Sequence, residues 1–140
     1  MSENLTNRFH NLPQGYRFII SGGLGTLTNL ILYEMIYFVN PYDNFRASIS
    51  WFIAYFIAIA TQHAYHRWLT FTDPISYLKS LGRSYQIYSG SLIISTILDL
   101  FLVISIGLQH RIAFLITMIS VSILNFFALK MYGFNNNQSD

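Results

Sequence analysis

Asp99 and Glu34 are carboxylates inside apolar stretches, and Arg67 and Lys130 are cations at the ends of two others. Such groups can hold a proton, pair with a phosphate or anchor a helix, but they are not spaced to break a covalent bond. Asp99 falls near the middle of its stretch, where a charged carboxylate costs at least about 2.5 kcal/mol on insertion scales. It must therefore face a protein interior or carry a proton. It serves either as a proton or headgroup site or as a structural hydrogen-bond partner of Asn29, Gln62 or Asn125. Glu34 lies nearer the end of its stretch, where it can snorkel toward water. Arg grips phosphate through paired hydrogen bonds and Lys as a point charge. Beside aromatic rings, both also serve as interfacial anchors.

The two cations sit in matching contexts. Gln62, His63, Ala64, Tyr65, His66, Arg67, Trp68, Leu69, Thr70, Phe71 and Asn125, Phe126, Phe127, Ala128, Leu129, Lys130, Met131, Tyr132, Gly133, Phe134 each begin with an amide. A cation follows five positions later, and a Phe closes the tag four positions after that. The stretches two helices apart also align, with Ser21, Thr26, Asn29 and Leu30 over Ser91, Thr96, Asp99 and Leu100. A duplicated helical hairpin is the simplest source of this register. Two copies of a two-helix unit keep the same orientation, related by an axis along the membrane normal. Asn29 then matches Asp99 and Gln62 matches Asn125, which places polar groups around a common axis.

Other chemistries find little support. His63 and His66 are three apart, the spacing of a partial metal site, but no nearby Cys or carboxylate completes it, so no metal is expected. Ser21, Gly22, Gly23, Leu24, Gly25 and Thr26 lack the third glycine and preceding strand of a dinucleotide loop. Small residues four apart, Ser21 with Gly25 and Ser91 with Ser95, instead permit close helix approach. No nucleophile, histidine and acid fall together, and no polar domain exists to hold a sugar nucleotide or a nucleic acid. The expectation is a non-enzyme without cofactor.

The elements that must position these residues are helices in a membrane. Of 140 residues, 53% are apolar, 17% aromatic and only 10% charged, outside the range of ordinary soluble domains. Helices are expected at about 17–39, 47–70, 85–108 and 111–132, each able to cross about 30 Å of hydrocarbon. Almost nothing is left over to bury them. The first is too long for a signal peptide's apolar region and is followed by Asn40 and Pro41. The absence of cysteine removes disulfide and thiolate chemistry.

The net charge is only +2, but its placement is uneven. If the helices alternate in direction, Arg8, Arg17, Arg67, Lys79, Arg83 and Lys130 share one side, while Arg46 and Arg111 fall on the other. The positive-inside rule then makes both termini cytoplasmic. Residues 1–15 read as a short cytoplasmic lead, Thr72 to Gly82 as a central loop and 135–140 as a disordered tail. The short turn near Gln109, His110 and Arg111 makes the last two helices antiparallel neighbours. The fold class is thus all-α integral membrane, four transmembrane helices as two parallel-repeat hairpins, N-in and C-in.

The ordered set Arg17-Phe18, Gly22-Gly23, Asn29, His66-Arg67-Trp68-Leu69-Thr70-Phe71, Asp99, Asn125-Phe126, Lys130 and Phe134 resembles the GtrA family over residues 16–134. That family favours Asp at Asn29, Asn at His66 and Leu129, and Trp at Leu69 and Tyr132. The resemblance implies a multi-pass protein of the cytoplasmic membrane serving cell-surface polysaccharide biosynthesis, as a flippase for a polyprenyl-phosphate-linked sugar. Arg17, Asn29, Gln62, Arg67, Trp68, Asp99, Asn125 and Lys130 would line the lipid-phosphate and sugar path. Relatives fused to polyprenyl-phosphate mannosyltransferases offer the alternative of a non-catalytic membrane partner for a glycosyltransferase. A third alternative is a small proton-coupled multidrug-type exporter using Glu34 or Asp99. Four helices enclose little volume, which favours a homo-oligomer or a path open to membrane lipid.

Overall fold

The computed structural model describes residues 2–70 and 76–128, and among these it contains helices and no strand. The elements are α1 (Ser2–His10), α2 (Gln14–Val39), α3 (Arg46–Tyr65), α4 (Tyr77–Leu100) and α5 (His110–Ala128). A 3₁₀ turn, Asp43–Phe45, leads into α3, and π-helical turns, His66–Thr70 and Phe101–Ser105, extend α3 and α4.

Local chemistry sets the ends of α2. Pro13 precedes it without a side-chain cap, and Asn40 closes it just before Pro41. The Asn40 side chain then clasps the turn, donating to Arg46 O at 3.2 Å and Ser50 Oγ at 3.1 Å and accepting from the Tyr42 amide at 3.0 Å. At the turn after α4, Gly107 takes φ +76°, a conformation that favours a residue without Cβ.

One boundary differs from expectation: α4 starts at Tyr77 rather than near residue 85. Most of the polar lead forms the short helix α1, which the sequence reading did not specify. The run from Tyr77 to Gln86 is polar but contains no proline, so it continues a helix that hydropathy alone would end. Gly82 is accommodated there at about 1 kcal/mol relative to Ala.

The helices pack in alternating directions. Ser21 of α2 meets His66 and Thr70 while Asn40 meets Ser50, so α2 and α3 are antiparallel. Trp51 meets Ser95 and His63 meets Ser84, so α4 reverses again. Ser91 meets Asn125 across α4 and α5. One end of the bundle therefore gathers Arg17, Arg67 and Ser80, and the other Asn40, Arg46 and Arg111.

The core is small and aromatic: Tyr33, Trp51, Ala54, Phe114 and Val121. Tyr33 and Phe114 have ring centroids 4.6 Å apart, and Trp51 meets Phe114 edge-on at 5.2 Å. Elsewhere large apolar residues face outward on every helix, including Ile31, Phe38, Ile53, Ile97, Phe101, Leu115 and Ile119. A water-facing surface would not carry so much continuous apolar area. The stretches Gln14–Val39 and Tyr77–Ser105 are long and apolar enough to cross a membrane, and His110–Asn125 is a shorter apolar helix. Alpha3 carries Ser48, Ser50, Thr61, Gln62 and His63 in its apolar run.

Candidate functional site: a polar cleft between α2 and α5

Helix α2 touches α5 near one end, through Tyr33 with Phe114 and Glu34 with Arg111. Along the rest of their length a cleft of about 250 Å³ separates them. Its rims are Ile19, Gly22 and Thr26 on α2 and Met118 and Ser122 on α5; its floor is Trp51, Tyr55, Ala58, Ile59 and Gln62, with His66 and Tyr88. The lining follows helical spacing. Residues 18, 22, 25 and 29 share one face of α2, and 51, 55, 58 and 62 share one face of α3.

Three expected site residues meet here. Asn29 is 6% exposed, and its Oδ1 has no hydrogen-bond partner among the described residues. Asn125 donates to Tyr55 Oη at 3.1 Å and accepts from Ser91 Oγ. Gln62 fits because α2 has no side chain opposite it: a Cβ on Gly25 would collide with Gln62 Oε1. Its amide meets His66 Nε2 at 2.7 Å, and His66 Nδ1 meets Ser21 Oγ at 2.8 Å. An amide N–H donating to Nε2 leaves Nδ1 protonated to donate to Ser21, whose hydroxyl donates to Phe18 O. Thr70 Oγ1 completes the group 2.9 Å from Ser21 Oγ. Phe18 stacks on the His66 ring, 4.7 Å between centroids. The small residues at 21 and 25 thus do more than permit close approach.

The basic end lies next to this network. Arg67 Nη1 donates to Ser80 Oγ at 2.8 Å, and its guanidinium lies 5.7 Å from the Tyr77 ring centroid. Ser80 also meets His63 Nε2 at 3.0 Å, while His63 Nδ1 meets Ser84 Oγ at 2.8 Å. The two histidines therefore address different helices, His63 toward α4 and His66 toward α2. Arg17 Nη1 reaches Leu69 O at 3.5 Å, and its Nε is buried without a partner among the described residues. Trp68 is 69% exposed and is not part of the cleft lining. Lys130 lies outside the described residues, as do most of the second tag and the 135–140 tail.

The carboxylates are elsewhere. Asp99 is wholly buried but does not line the cleft, and it meets none of Asn29, Gln62 and Asn125. The expected polar layer divides, three amides in the cleft and one acid apart from it. Glu34 is held at the opposite end by Arg111, at 3.0 and 3.3 Å. Tyr55, Tyr88 and Trp51 were not expected in the site, although Tyr55 stands seven residues before Gln62, on the same helix face.

Apolar helices exposed around much of their circumference, with amides, tyrosines and a histidine collected in one cleft, define a helical membrane protein with a polar site among its helices. A family described as GtrA/DPMS, transmembrane domain, matches residues 17–134. The chain belongs to that family, which associates it with polysaccharide and glycolipid biosynthesis. No curated protein and no solved structure matches the chain.

Proposed function

We propose that this protein moves a polyprenyl-phosphate-linked sugar across the cytoplasmic membrane. In this reading α2 to α5 all span the bilayer as two hairpins in parallel repeat. The end bearing Arg8, Arg17, Arg67, Lys79 and Arg83 faces the cytoplasm, because cations are retained on that side. The observation that carries the proposal is the cleft between α2 and α5, with the unpartnered Asn29 Oδ1 on its wall.

A lipid-linked sugar has two incompatible halves. Its tail is at home in hydrocarbon, so only the phosphate and sugar need a polar route. A sideways cleft offers that route while the tail stays in lipid. At about 250 Å³ it is smaller than the roughly 300–1,000 Å³ of a site that engulfs a whole drug-sized ligand. Arg67 and Arg17 receive the phosphate at the basic end. Trp51, Tyr55 and Tyr88 offer faces for the sugar, and Asn29, Gln62 and Asn125 replace water hydrogen bonds on the way.

An orphaned buried amide oxygen costs about 1–3 kcal/mol, so its retention fits a ligand group that completes it. The test is translocation of a fluorescent polyprenyl-phosphate hexose in proteoliposomes, comparing the parent with Asn29→Leu. We expect the variant to be at least as stable as the parent and to lose most of the movement. Parent activity no greater than that of empty liposomes would redirect the assignment to a non-catalytic partner of a membrane glycosyltransferase.

A further inference from the structure

Asp99 is 0% exposed, and neither carboxylate oxygen has a hydrogen-bond partner among the described residues. The Ser48 hydroxyl faces it from α3. On α5, Thr117 is also 0% exposed with its Oγ1 unpartnered. The antiparallel register that joins Ser91 to Asn125 brings Thr117 level with Asp99, eight residues along each helix from that bond. Two wholly buried side chains with unmet polar atoms thus lie at one depth, with no nitrogen donor bonded to either.

We propose that Asp99, Ser48 and Thr117 form an enclosed site for one small monovalent cation, H⁺ or Na⁺, distinct from the cleft and linked to it through Trp51. A carboxylate withdrawn from water needs a compensating positive charge, and intramembrane acids commonly mark ion pathways. The nearby cations are committed: Arg111 pairs with Glu34, and Arg46 Nε donates to Asn40 O at 2.7 Å. The donors on offer are all oxygens, which suit a proton or a hard cation. Tyr33 on α2 is the titratable group facing Asp99, and its hydroxyl is 3.1 Å from His110 Nδ1. Alpha3 and α5 contribute hydroxyls at this level.

The link to the cleft is one helical turn long. Trp51 forms part of the cleft floor, and its Nε1 donates to Ser95 Oγ at 3.0 Å. Ser95 lies one turn before Asp99 on α4, and Ser48 lies one turn before Trp51 on α3. The facing pairs 48/99 and 51/95 are therefore successive rungs between the same two helices. A cation that draws Ser48 and Asp99 together also resets the indole that a headgroup would touch. That coupling rests on the transport function proposed above; the cation site does not.

The sequence contains two tryptophans, so Trp68→Phe leaves Trp51 as the sole reporter. Purified Trp68→Phe protein, free of sugar lipid, is titrated with NaCl against choline chloride, and separately with pH in choline chloride. A saturable change in emission with Na⁺ that protons compete away identifies a sodium site. A change with pH that ignores Na⁺ identifies a proton site. Either response should vanish in Asp99→Asn. In the isosteric Thr117→Val it should weaken about tenfold or move by about one pH unit, the effect of losing one polar ligand. A parent flat to both titrations, or a response unaltered in Asp99→Asn, overturns the proposal. If Asp99→Asn does not fold, an unaltered response in Thr117→Val does so. Failure here leaves the liposome assay untouched, and absence of sugar-lipid movement leaves the cation response intact.

Discussion

The two ends of the bundle treat their arginines differently. At the end holding Asn40 and Arg111, cations are tied into closed sets: Arg111 to the Glu34 carboxylate, Arg46 to Asn40 O and over the Tyr37 ring at 5.4 Å. His110 stacks on Tyr37 there, 3.8 Å between centroids. At the other end, Arg67 and Arg17 are shown meeting a hydroxyl, a ring face and a carbonyl. Among the described residues no carboxylate pairs with Arg17, so its positive charge keeps its attraction for an anion.

The largest effect expected belongs to the residue between the ends. Trp51→Ala should cost about 3–5 kcal/mol in denaturant unfolding, as large core truncations do, and remove the cleft floor. A loss below about 1 kcal/mol would mean that the two ends are held together by something else. Next, Arg67→Ala should weaken binding of polyprenyl phosphate by about 1.5–3 kcal/mol, the range of hydrogen bonds to charged groups, while Arg46→Ala leaves that affinity alone. Equal losses in both would erase the distinction between the ends. Gly25→Val should destabilise by about 1–3 kcal/mol, because the new side chain meets Gln62 and displaces its bond to His66. The histidine's proton exchange by NMR should speed up with it. Smallest of all, Glu34→Gln should change stability by about 0–1 kcal/mol, since the Arg111 side chain is 64% exposed. A drop in thermal midpoint matching that of Trp51→Ala would show the exposed pair to be a principal clamp.

Much of the cleft was legible because helical spacing alone aligns Asn29 with Gly25 and Gly22, and Gln62 with Tyr55 and Trp51. Asn125 joined them through the repeat. Asp99 did not, for a reason of phase: it lies eight residues after Ser91, which at about 3.6 residues per turn rotates it roughly 80° from the face that meets Asn125. Equivalence by alignment carried depth but not direction. Tyr55 and Tyr88 gave no separate signal in a chain so rich in aromatic residues. The start of α4 was hidden because hydropathy reports the solvent a helix prefers, not whether the backbone is helical. Ser80 and Ser84, four apart, were the better clue, since they share the face that meets His63.

The π-helical turns closing α3 and α4 have a consequence for changes in chain length. A π turn holds one residue more than an α turn, as the bond from Ile106 N to Phe101 O at 3.2 Å illustrates. Losing one residue within 66–70 would let that turn relax to an ordinary α turn. Everything upstream, from Trp51 to Gln62, would keep its place, and residues after the turn would keep their direction around the helix axis, because the turn only gives up its extra residue. Single-residue indels at these two positions should therefore be better tolerated for folding than indels within the helices they terminate.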